Sequence, residues 1–281
     1  MRIGYLGPEG THTHEALLNA ARATELEAVA LPTVYDTVMA VRDHAVDRAV
    51  VPIENSIEGA VNATLDALAF ETEEVTIVGE IVQPIHHCLI ARGKLALGDV
   101  EAVLSHPQAS GQCAGFLRSR LPTVPIVMAS STAEAVRLIA CDATARAAIG
   151  TRLAAALYGC TVLVSGIEDS AGNETRFVWL ARAGDAAVEP VAQDGPWKTA
   201  IVFWGVGAEA PGWLVTCLGE FARRGVNLTR IESRPRKQGL GRYMFFADLE
   251  GRDRDPPVAD GLAAVREHVE QLRVLGSFPA A

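Results

Sequence analysis

Paired cysteines and long apolar runs are what this sequence most clearly lacks. Its five cysteines are scattered over 281 residues and form no CxxC pair. That spacing argues against a disulfide framework or a zinc site and favours reduced thiols in a cytoplasm. No segment approaches the roughly 20 apolar residues of a membrane span, and the apolar run after Met1-Arg2 ends at Gly7-Pro8, too early for a signal peptide. We therefore expect a cytoplasmic protein with no membrane partner and no metal site.

Positive charge is also in short supply. Lys and Arg number 25 against 34 Asp and Glu, which leaves a formal net charge of −9. This balance disfavours nucleic acid and anionic membranes as partners. It does not exclude a small anionic substrate, because donors within a cleft outweigh distant surface charge that salt screens. The glycine turn at 7–10 lacks the GxGxxG and Walker spacings, so nucleotide binding is disfavoured as well.

Alternating strand and helix patterns fill the first two thirds of the chain. With 49% hydrophobic residues, the chain can bury a sizeable core and should form about two domains. A strand that leads into a turn and a helix recurs several times, and a second such series spans 100–158. This order predicts an α/β fold with mainly parallel sheets. Two chain crossings suggest two lobes around a cleft, one from about 1–80 and 165–182 and the other from about 81–164.

Polar residues follow two of the predicted strands directly. Glu54, Asn55 and Ser56 come after the strand at 48–53, and His106 comes after a later strand. In α/β folds the residues at such positions line the crevice where ligands bind. The alternative is that Asn55 and Ser56 only cap a helix and that His106 only stabilises a turn.

The first glycine turn leads into a helix whose start is a candidate anion site. Thr11 or Thr13 can cap this helix, and free backbone N–H groups point out of such an end. The neighbouring histidines His86 and His87 are a weaker candidate, because adjacent residues of a strand point to opposite faces. That is poor geometry for a metal site, and we interpret both as structural.

The segment 173–177 is the strongest candidate for chemistry. Asn173, Thr175 and Arg176 lie between two apolar runs, so the pattern predicts strand, loop and strand. Arg176 suits bidentate capture of a carboxylate, and Thr175 and Asn173 can each direct single hydrogen bonds. The alternative is a turn whose polar residues cap strand ends.

A different pattern follows a predicted linker at 183–197, which is rich in Ala, Gly, Asp and Pro. Residues 198–281 show the order βαββαβ of a ferredoxin-like domain, with a second helix predicted from an apolar spacing that runs to Leu272. The unit is small and has no convergent polar cluster. We expect a domain for ligand or subunit contact.

Five sequence blocks resemble those of prephenate dehydratases with a C-terminal ACT regulatory domain. They occur in the family's order and spacing: GPEGT at 7–11, VPIENSIEG at 51–59, SHPQA at 105–109, NETRF at 173–177 and NLTRIESRP at 227–235. The resemblance implies a catalytic domain at 1–182 with the two lobes of a type II periplasmic binding protein, and an ACT domain at 198–281. It also implies conversion of prephenate to phenylpyruvate, carbon dioxide and water in phenylalanine synthesis, with feedback inhibition by L-phenylalanine and no cofactor.

The same resemblance implies roles for particular residues. Thr175 is expected to hydrogen-bond the leaving hydroxyl group. Residues expected to bind substrate are Arg176, Phe177, Asn173, Asn55, Ser56, Glu54, Thr11, Thr13, His106 and Gln108. Residues expected to bind phenylalanine between ACT domains are Gly212, Trp213, Leu214, Asn227, Leu228, Glu232, Ser233, Arg234 and Pro235.

Two positions depart from the family pattern. His12 stands where the family usually has an aromatic residue, which adds a titrating group to the cleft. Trp213 stands within the family's Gly-Ala-Leu signature, which reads Gly-Trp-Leu in this chain. The tryptophan could point away from the phenylalanine site, fill it, or change its ligand preference.

Two other functions remain open from the sequence. Arogenate dehydratases share these motifs and act on a substrate with an amine in place of the keto group. A non-catalytic protein that binds small anions could also use the two-lobed domain. The resemblance also implies a homodimer or homotetramer, because isolated ACT domains expose a sheet edge and tend to pair.

Overall fold

The computed structural model describes residues 1–20, 26–185, 195–205, 207 and 210–281. Most of the predicted linker, at 186–194, lies outside the described residues. Three β-sheets organise the described part of the chain. None of its helices is long and apolar enough to cross a membrane.

The strands and helices have the following bounds. The strands are β1 (Arg2–Leu6), β2 (Glu27–Leu31), β3 (Arg48–Asn55), β4 (Gly59–Ala60), β5 (Val75–Pro84), β6 (Cys88–Ala91), β7 (Ala102–Ser105), β8 (Ile126–Met128), β9 (Arg146–Gly150), β10 (Thr161–Ser165), β11 (Glu174–Arg182), β12 (Trp197–Trp204), β13 (Leu228–Pro235), β14 (Tyr243–Glu250) and β15 (Gln271–Pro279). The helices are α1 (His12–Ala20), α2 (Val34–Arg42), α3 (Asn62–Asp66), α4 (Pro107–Gln112), α5 (Ala114–Arg120), α6 (Thr132–Ala140), α7 (Arg152–Leu157), α8 (Trp213–Ala222) and α9 (Pro256–Arg266).

The first two sheets share one topology. Their strand orders are β2-β1-β3-β11-β5 and β8-β7-β9-β6-β10. In each sheet the first three strands are parallel, and an antiparallel strand that arrives from a chain crossing is inserted next to them. The predicted two-lobed α/β fold of the type II periplasmic-binding-protein kind is therefore confirmed. The first sheet uses residues 2–84 and 174–182, and the second uses residues 88–165.

Several predicted helix bounds shift for local reasons. The helix predicted after the first glycine turn begins at His12, and Thr11 Oγ1 accepts from His14 N at 3.3 Å. No helix starts directly after Asn55 and Ser56, the two possible capping residues, because residues 59–60 form a short strand and Gly59 has a positive φ of 82°. The next helix begins at Asn62. The second helix of the C-terminal domain ends at Arg266, so the apolar residues beyond it lie outside this helix.

The third sheet has the order β13-β14-β12-β15 and is antiparallel throughout, as expected for a ferredoxin-like domain. Side chains at alternate positions of β12 pack into two different hydrophobic cores. Ile201 and Phe203 pack with α8 and α9. Ala200 and Val202 belong to a cluster shared with the first lobe, where Ile77 of β5 lies. Strand β12 of the C-terminal sheet is therefore buried on both faces.

Candidate active site

A cleft of about 410 Å³ lies between the first two sheets and is lined by residues of both lobes. Seven of the predicted substrate-site residues line it: Thr11, Thr13, Asn55, His106, Gln108, Thr175 and Phe177. They come from distant parts of the sequence, and the two chain crossings bring them together. The lining also includes His12 and His87.

Thr175 and Phe177 reach the cleft because they occupy alternate positions of β11. This strand lies between β3 and β5, and Thr175 pairs in register with Asn55. Both side chains are mostly buried, with Thr175 at 9% and Asn55 at 8% relative exposure. Because side chains alternate along a strand, Arg176 projects from the opposite face.

Asn55 orients the Thr175 hydroxyl group. Its Oδ1 accepts hydrogen bonds from the backbone N–H groups of Ile57 and Glu58, both at 3.0 Å, which identifies the other amide atom as nitrogen. That Nδ2 donates to Thr175 Oγ1 at 2.9 Å and to Asn173 Oδ1 at 2.8 Å. Because Thr175 Oγ1 accepts this bond, its own proton is available to a partner in the cleft.

The hydrogen-bond chain continues to His87. Asn173 Nδ2 donates to Gln112 Oε1 at 2.9 Å, and the same oxygen lies 3.0 Å from His87 Nε2. An amide oxygen only accepts, so His87 carries its proton on Nε2 and presents Nδ1 as an acceptor. Burial, followed by the neighbouring His12, lowers the pKa of His87 below its usual value of 6.5.

Two helix N-termini face the cleft, one from each lobe. Helix α1 begins at His12, and helix α6 begins at Thr132 after Ser131, whose hydroxyl caps the helix by accepting from Glu134 N at 3.0 Å. Free N–H groups and the helix dipole attract anions to such ends. On the second lobe, His106 Nδ1 also accepts from Gln108 N at 3.3 Å.

Contrary to the sequence-based prediction, Arg176 and Glu54 do not line the cleft. Arg176 lies between three carboxylates: Asp248 of the C-terminal domain at 2.6 Å, Glu54 at 3.0 Å and Glu80 at 3.2 Å. Burial alone would lower the pKa of Arg176, but Asp248 and Glu80 raise it above its usual value. The alternation of β11 turns this guanidinium toward the C-terminal domain and away from a substrate.

Ser56 and Asn173 lie beside the cleft and support its wall. Ser56 Oγ donates to the carbonyl of Gly172 at 3.2 Å and accepts from Glu174 N at 2.9 Å, which fixes the loop before β11. Asn173 is 2% exposed and connects Asn55 to Gln112. Their predicted substrate contacts are therefore replaced by contacts that position Thr175.

The predicted phenylalanine-site residues fall on two parts of the C-terminal domain. Gly212, with φ of 84°, precedes α8, where Trp213 and Leu214 begin the helix and pack against the domain core. Trp213 Nε1 donates to the His268 carbonyl at 2.8 Å, and its indole covers Gly205. The Trp213 side chain therefore packs against residues of its own domain.

The second part of that site is at and beside β13. Asn227 donates to Glu250 at 3.1 Å just before the strand, which carries Leu228, Glu232, Ser233, Arg234 and Pro235. Arg234 pairs with Asp66 at the end of α3 at 3.1 Å. This arginine therefore joins the C-terminal domain to the first lobe.

Sequence reasoning missed several cleft residues. Ser131 and Gln112 line the cleft, but neither was among the predicted site residues. His87 was interpreted as structural, although it lines the cleft. A capping serine at the N-terminus of a helix in the second lobe could have been identified by the same strand-end rule that selected Asn55.

The geometry defines a two-lobed α/β protein with a cleft that two helix N-termini face and a ferredoxin-like domain packed on one lobe. The family model for prephenate dehydratase matches residues 3–185, and the ACT domain model matches residues 209–267. The chain belongs to the prephenate dehydratase family.

Individual relatives agree with this assignment over the full length. A prephenate dehydratase of Amycolatopsis methanolica is 39% identical over 280 residues, covering 100% of this chain and 89% of that protein. The structure of a prephenate dehydratase from Arthrobacter aurescens in complex with L-Phe has a TM-score of 0.89 at 37% identity, covering 99% and 90%. The structure of GqqA, described as a novel type of quorum quenching acylase, has a TM-score of 0.86 at 29% identity, covering 100% and 98%.

Proposed function

We propose that this chain converts prephenate to phenylpyruvate, carbon dioxide and water in L-phenylalanine biosynthesis, with 1–182 as the catalytic unit and 198–281 as the regulatory unit. The observation that carries this proposal is the hydrogen bond from Asn55 to Thr175, which leaves a hydroxyl donor available in a cleft with two helix N-termini. A dianion that loses a hydroxyl group needs such a donor and such anion sites.

The proposed reaction needs little from the protein beyond positioning. The bond from the ring to the carboxylate breaks, its electron pair enters the ring, and the opposite carbon–oxygen bond breaks as hydroxide leaves. The ring becomes aromatic, so no electron sink is required. Thr175 donates a hydrogen bond to the developing hydroxide, which solvent protonates to water. A threonine hydroxyl is too weak an acid for full proton transfer, and its contribution is electrostatic.

The substrate carboxylates are assigned to the two helix N-termini. Thr11 and Thr13 belong to the start of α1, and Ser131 and Thr132 belong to the start of α6. His106, Gln108 and the Phe177 ring complete the proposed contacts. Because the N-termini come from different lobes, a substrate with two carboxylates can bridge them.

The initial rate of phenylpyruvate formation from prephenate tests the proposal, with arogenate as a parallel substrate. We expect a higher kcat/KM for prephenate. Preference for arogenate would instead identify an arogenate dehydratase. No turnover of either substrate by a folded protein would favour a non-catalytic anion-binding role.

L-Phenylalanine is proposed as the allosteric ligand, bound between ACT domains of a homodimer or homotetramer. The edge of β13 supports this, because the described strands pair with β13 on one side only and Ile231 is 45% exposed there. Edge strands of this kind join readily to a second copy. Isothermal titration with phenylalanine and light scattering with and without it test both points. No binding heat or a monomer at all concentrations would refute them.

We also propose a cytoplasmic location, supported by the state of the thiols. All five cysteines are free. Burial, together with nearby Glu168, raises the pKa of Cys113 to about 12, and burial raises that of Cys217 to about 11. Thiols of this kind stay protonated and inert, which fits a reducing compartment. Fractionation of cells that express the protein from its own start codon tests the location.

A further inference from the structure

Two histidines in the cleft have ring nitrogens without a hydrogen-bond partner among the described residues. They are Nδ1 and Nε2 of His12 and Nδ1 of His87, and all three atoms are buried. His87 is 2% exposed, and its ring meets that of His12 edge-on with centroids 5.3 Å apart. Buried polar atoms are normally satisfied, so unpaired ones that line a cleft are candidates for contact with a bound ligand.

A positive side chain in the cleft would attract a dianionic substrate. Its described lining contains three histidines but neither lysine nor arginine. Arg176, the cation nearest in sequence to Thr175, is occupied by three carboxylates. An imidazolium is therefore the one side-chain cation that this described lining can offer to a carboxylate.

The contacts of the two rings favour His12 over His87 as the one that binds a carboxylate. His87 donates from Nε2 to Gln112, and burial keeps it neutral. Glu168 accepts from the backbone of His87 and pairs with His86, so its charge is already engaged. By contrast, Glu15 Oε2 lies 3.5 Å from His12 Nδ1, and His12 Nε2 has no hydrogen-bond partner among the described residues, so this atom can contact a ligand in the cleft.

We propose that His12, protonated in the complex, holds the pyruvyl carboxylate of the substrate at the start of α1. The assignment rests on the proposed dehydratase function. The pyruvyl carboxylate survives the reaction, whereas the ring carboxylate leaves as carbon dioxide. The ring carboxylate loses its negative charge as it leaves, so an ion pair to it would stabilise the ground state more than the transition state. A cation that assists the reaction should therefore bind the pyruvyl carboxylate.

The experiment compares wild type with His12→Phe, which restores the aromatic residue typical of the family, and His12→Gln, which keeps a neutral donor. A charge-assisted hydrogen bond should be worth about 10- to 100-fold in affinity. We expect KM for prephenate and the inhibition constant of phenylpyruvate to rise by that factor in His12→Phe, with kcat within about threefold. His44→Asn is the control, because His44 is exposed on another surface and its positive φ of 60° suits asparagine.

The pH dependence supplies a second readout. The proposal requires a proton on His12 for binding, so KM of the wild type should rise with increasing pH, and both His12 variants should lose this slope. Unchanged KM and slope in an active His12→Phe would overturn the assignment. A raised KM with an unchanged phenylpyruvate constant would overturn it too, since it would put His12 at the ring carboxylate. An inactive wild type would instead refute the dehydratase function itself.

Discussion

At the level of single residues, the proposed chemistry depends on how Asn55 orients Thr175. Thr175→Ala removes a hydrogen-bond donor aimed at the developing hydroxide, which typically costs about 100- to 1,000-fold in kcat. Thr175→Ser keeps the hydroxyl group and is the matched control, expected to retain far more activity. Circular dichroism should show both variants folded. A kcat for Thr175→Ala within about threefold of wild type would remove Thr175 from the mechanism.

Asn55→Asp tests the direction of the same hydrogen bond. The carboxylate can still accept from Ile57 and Glu58, but it cannot donate to Thr175, so the hydroxyl proton of Thr175 should turn toward it. We expect kcat to fall by about 100-fold, by the reasoning that applies to one lost donor. Steady-state kinetics above pH 6, with thermal unfolding to confirm the fold, measure this. Nearly normal kcat would mean that the orientation of Thr175 is unimportant.

Individual residues also show which parts of the candidate site could be predicted from the sequence. Asn55 and Thr175 were predictable because both follow or begin strands at a crevice edge. Arg176 was misassigned, although the period of two along a strand separates it from Thr175. Its actual partner, Asp248, is 72 residues away in another domain, and no local pattern predicts that contact. The direction of the hydrogen bonds that run from Asn55 to His87 depends on Gln112. Only the folded structure shows that Gln112 lies next to Asn173 and His87.

At the level of elements, β11 connects the cleft to the C-terminal domain through alternate side chains. The face opposite Thr175 carries a buried ionic cluster of three cationic and three carboxylate side chains: Arg176, Lys198, Arg230, Glu54, Glu80 and Asp248. Buried charges of this kind are costly to separate. A displacement of β14 would therefore disturb the ion pairs of Arg176, which is next to the proposed catalytic threonine in the sequence.

This cluster should make stability depend on acid pH. Burial would raise the pKa of Glu80, but the hydrogen bonds from Lys198 and the Ala281 backbone hold it below the usual 4.5. Because the folded-state pKa is the lower one, Glu80 contributes stability above about pH 4.5, and that contribution is lost as pH falls through the folded-state value.

Urea denaturation at several pH values between 7 and 3 measures that effect. Glu80→Gln should lower stability at pH 7 and flatten the acid dependence. Glu101→Gln is the matched control, because Glu101 is exposed in the second lobe and should leave both unchanged. An acid dependence that is identical in wild type and Glu80→Gln would show that this carboxylate does not hold the domains together.

At the level of the whole molecule, the ACT domain is part of the first lobe's core. Met244 and Phe246 of β14 and Leu275 of β15 belong to one cluster with lobe-one residues. Gly276 lies so close to the backbone of Ile77 that a Cβ has no space there. Strand β12 is apolar on both faces, and this pattern predicts burial of both faces. The sequence does not show which part of the protein covers the second face; only the fold does.

Shared burial predicts coupled unfolding. Phe246 is 1% exposed, and Phe246→Ala should cost about 3–5 kcal/mol. We expect calorimetry to show the transition of the first lobe and the ACT domain moving together to lower temperature. A chain cut after residue 182 should aggregate, because it exposes this apolar face. Two transitions, of which only one responds to Phe246→Ala, would show that the domains are independent.

The most direct test of the dehydratase assignment is the initial rate of phenylpyruvate formation from prephenate by purified wild-type protein, measured beside Thr175→Ala. We predict a rate far above the spontaneous reaction for wild type and a loss of about 100- to 1,000-fold in the variant. If the folded wild-type protein gave a rate equal to the spontaneous one, that result would contradict the proposed activity.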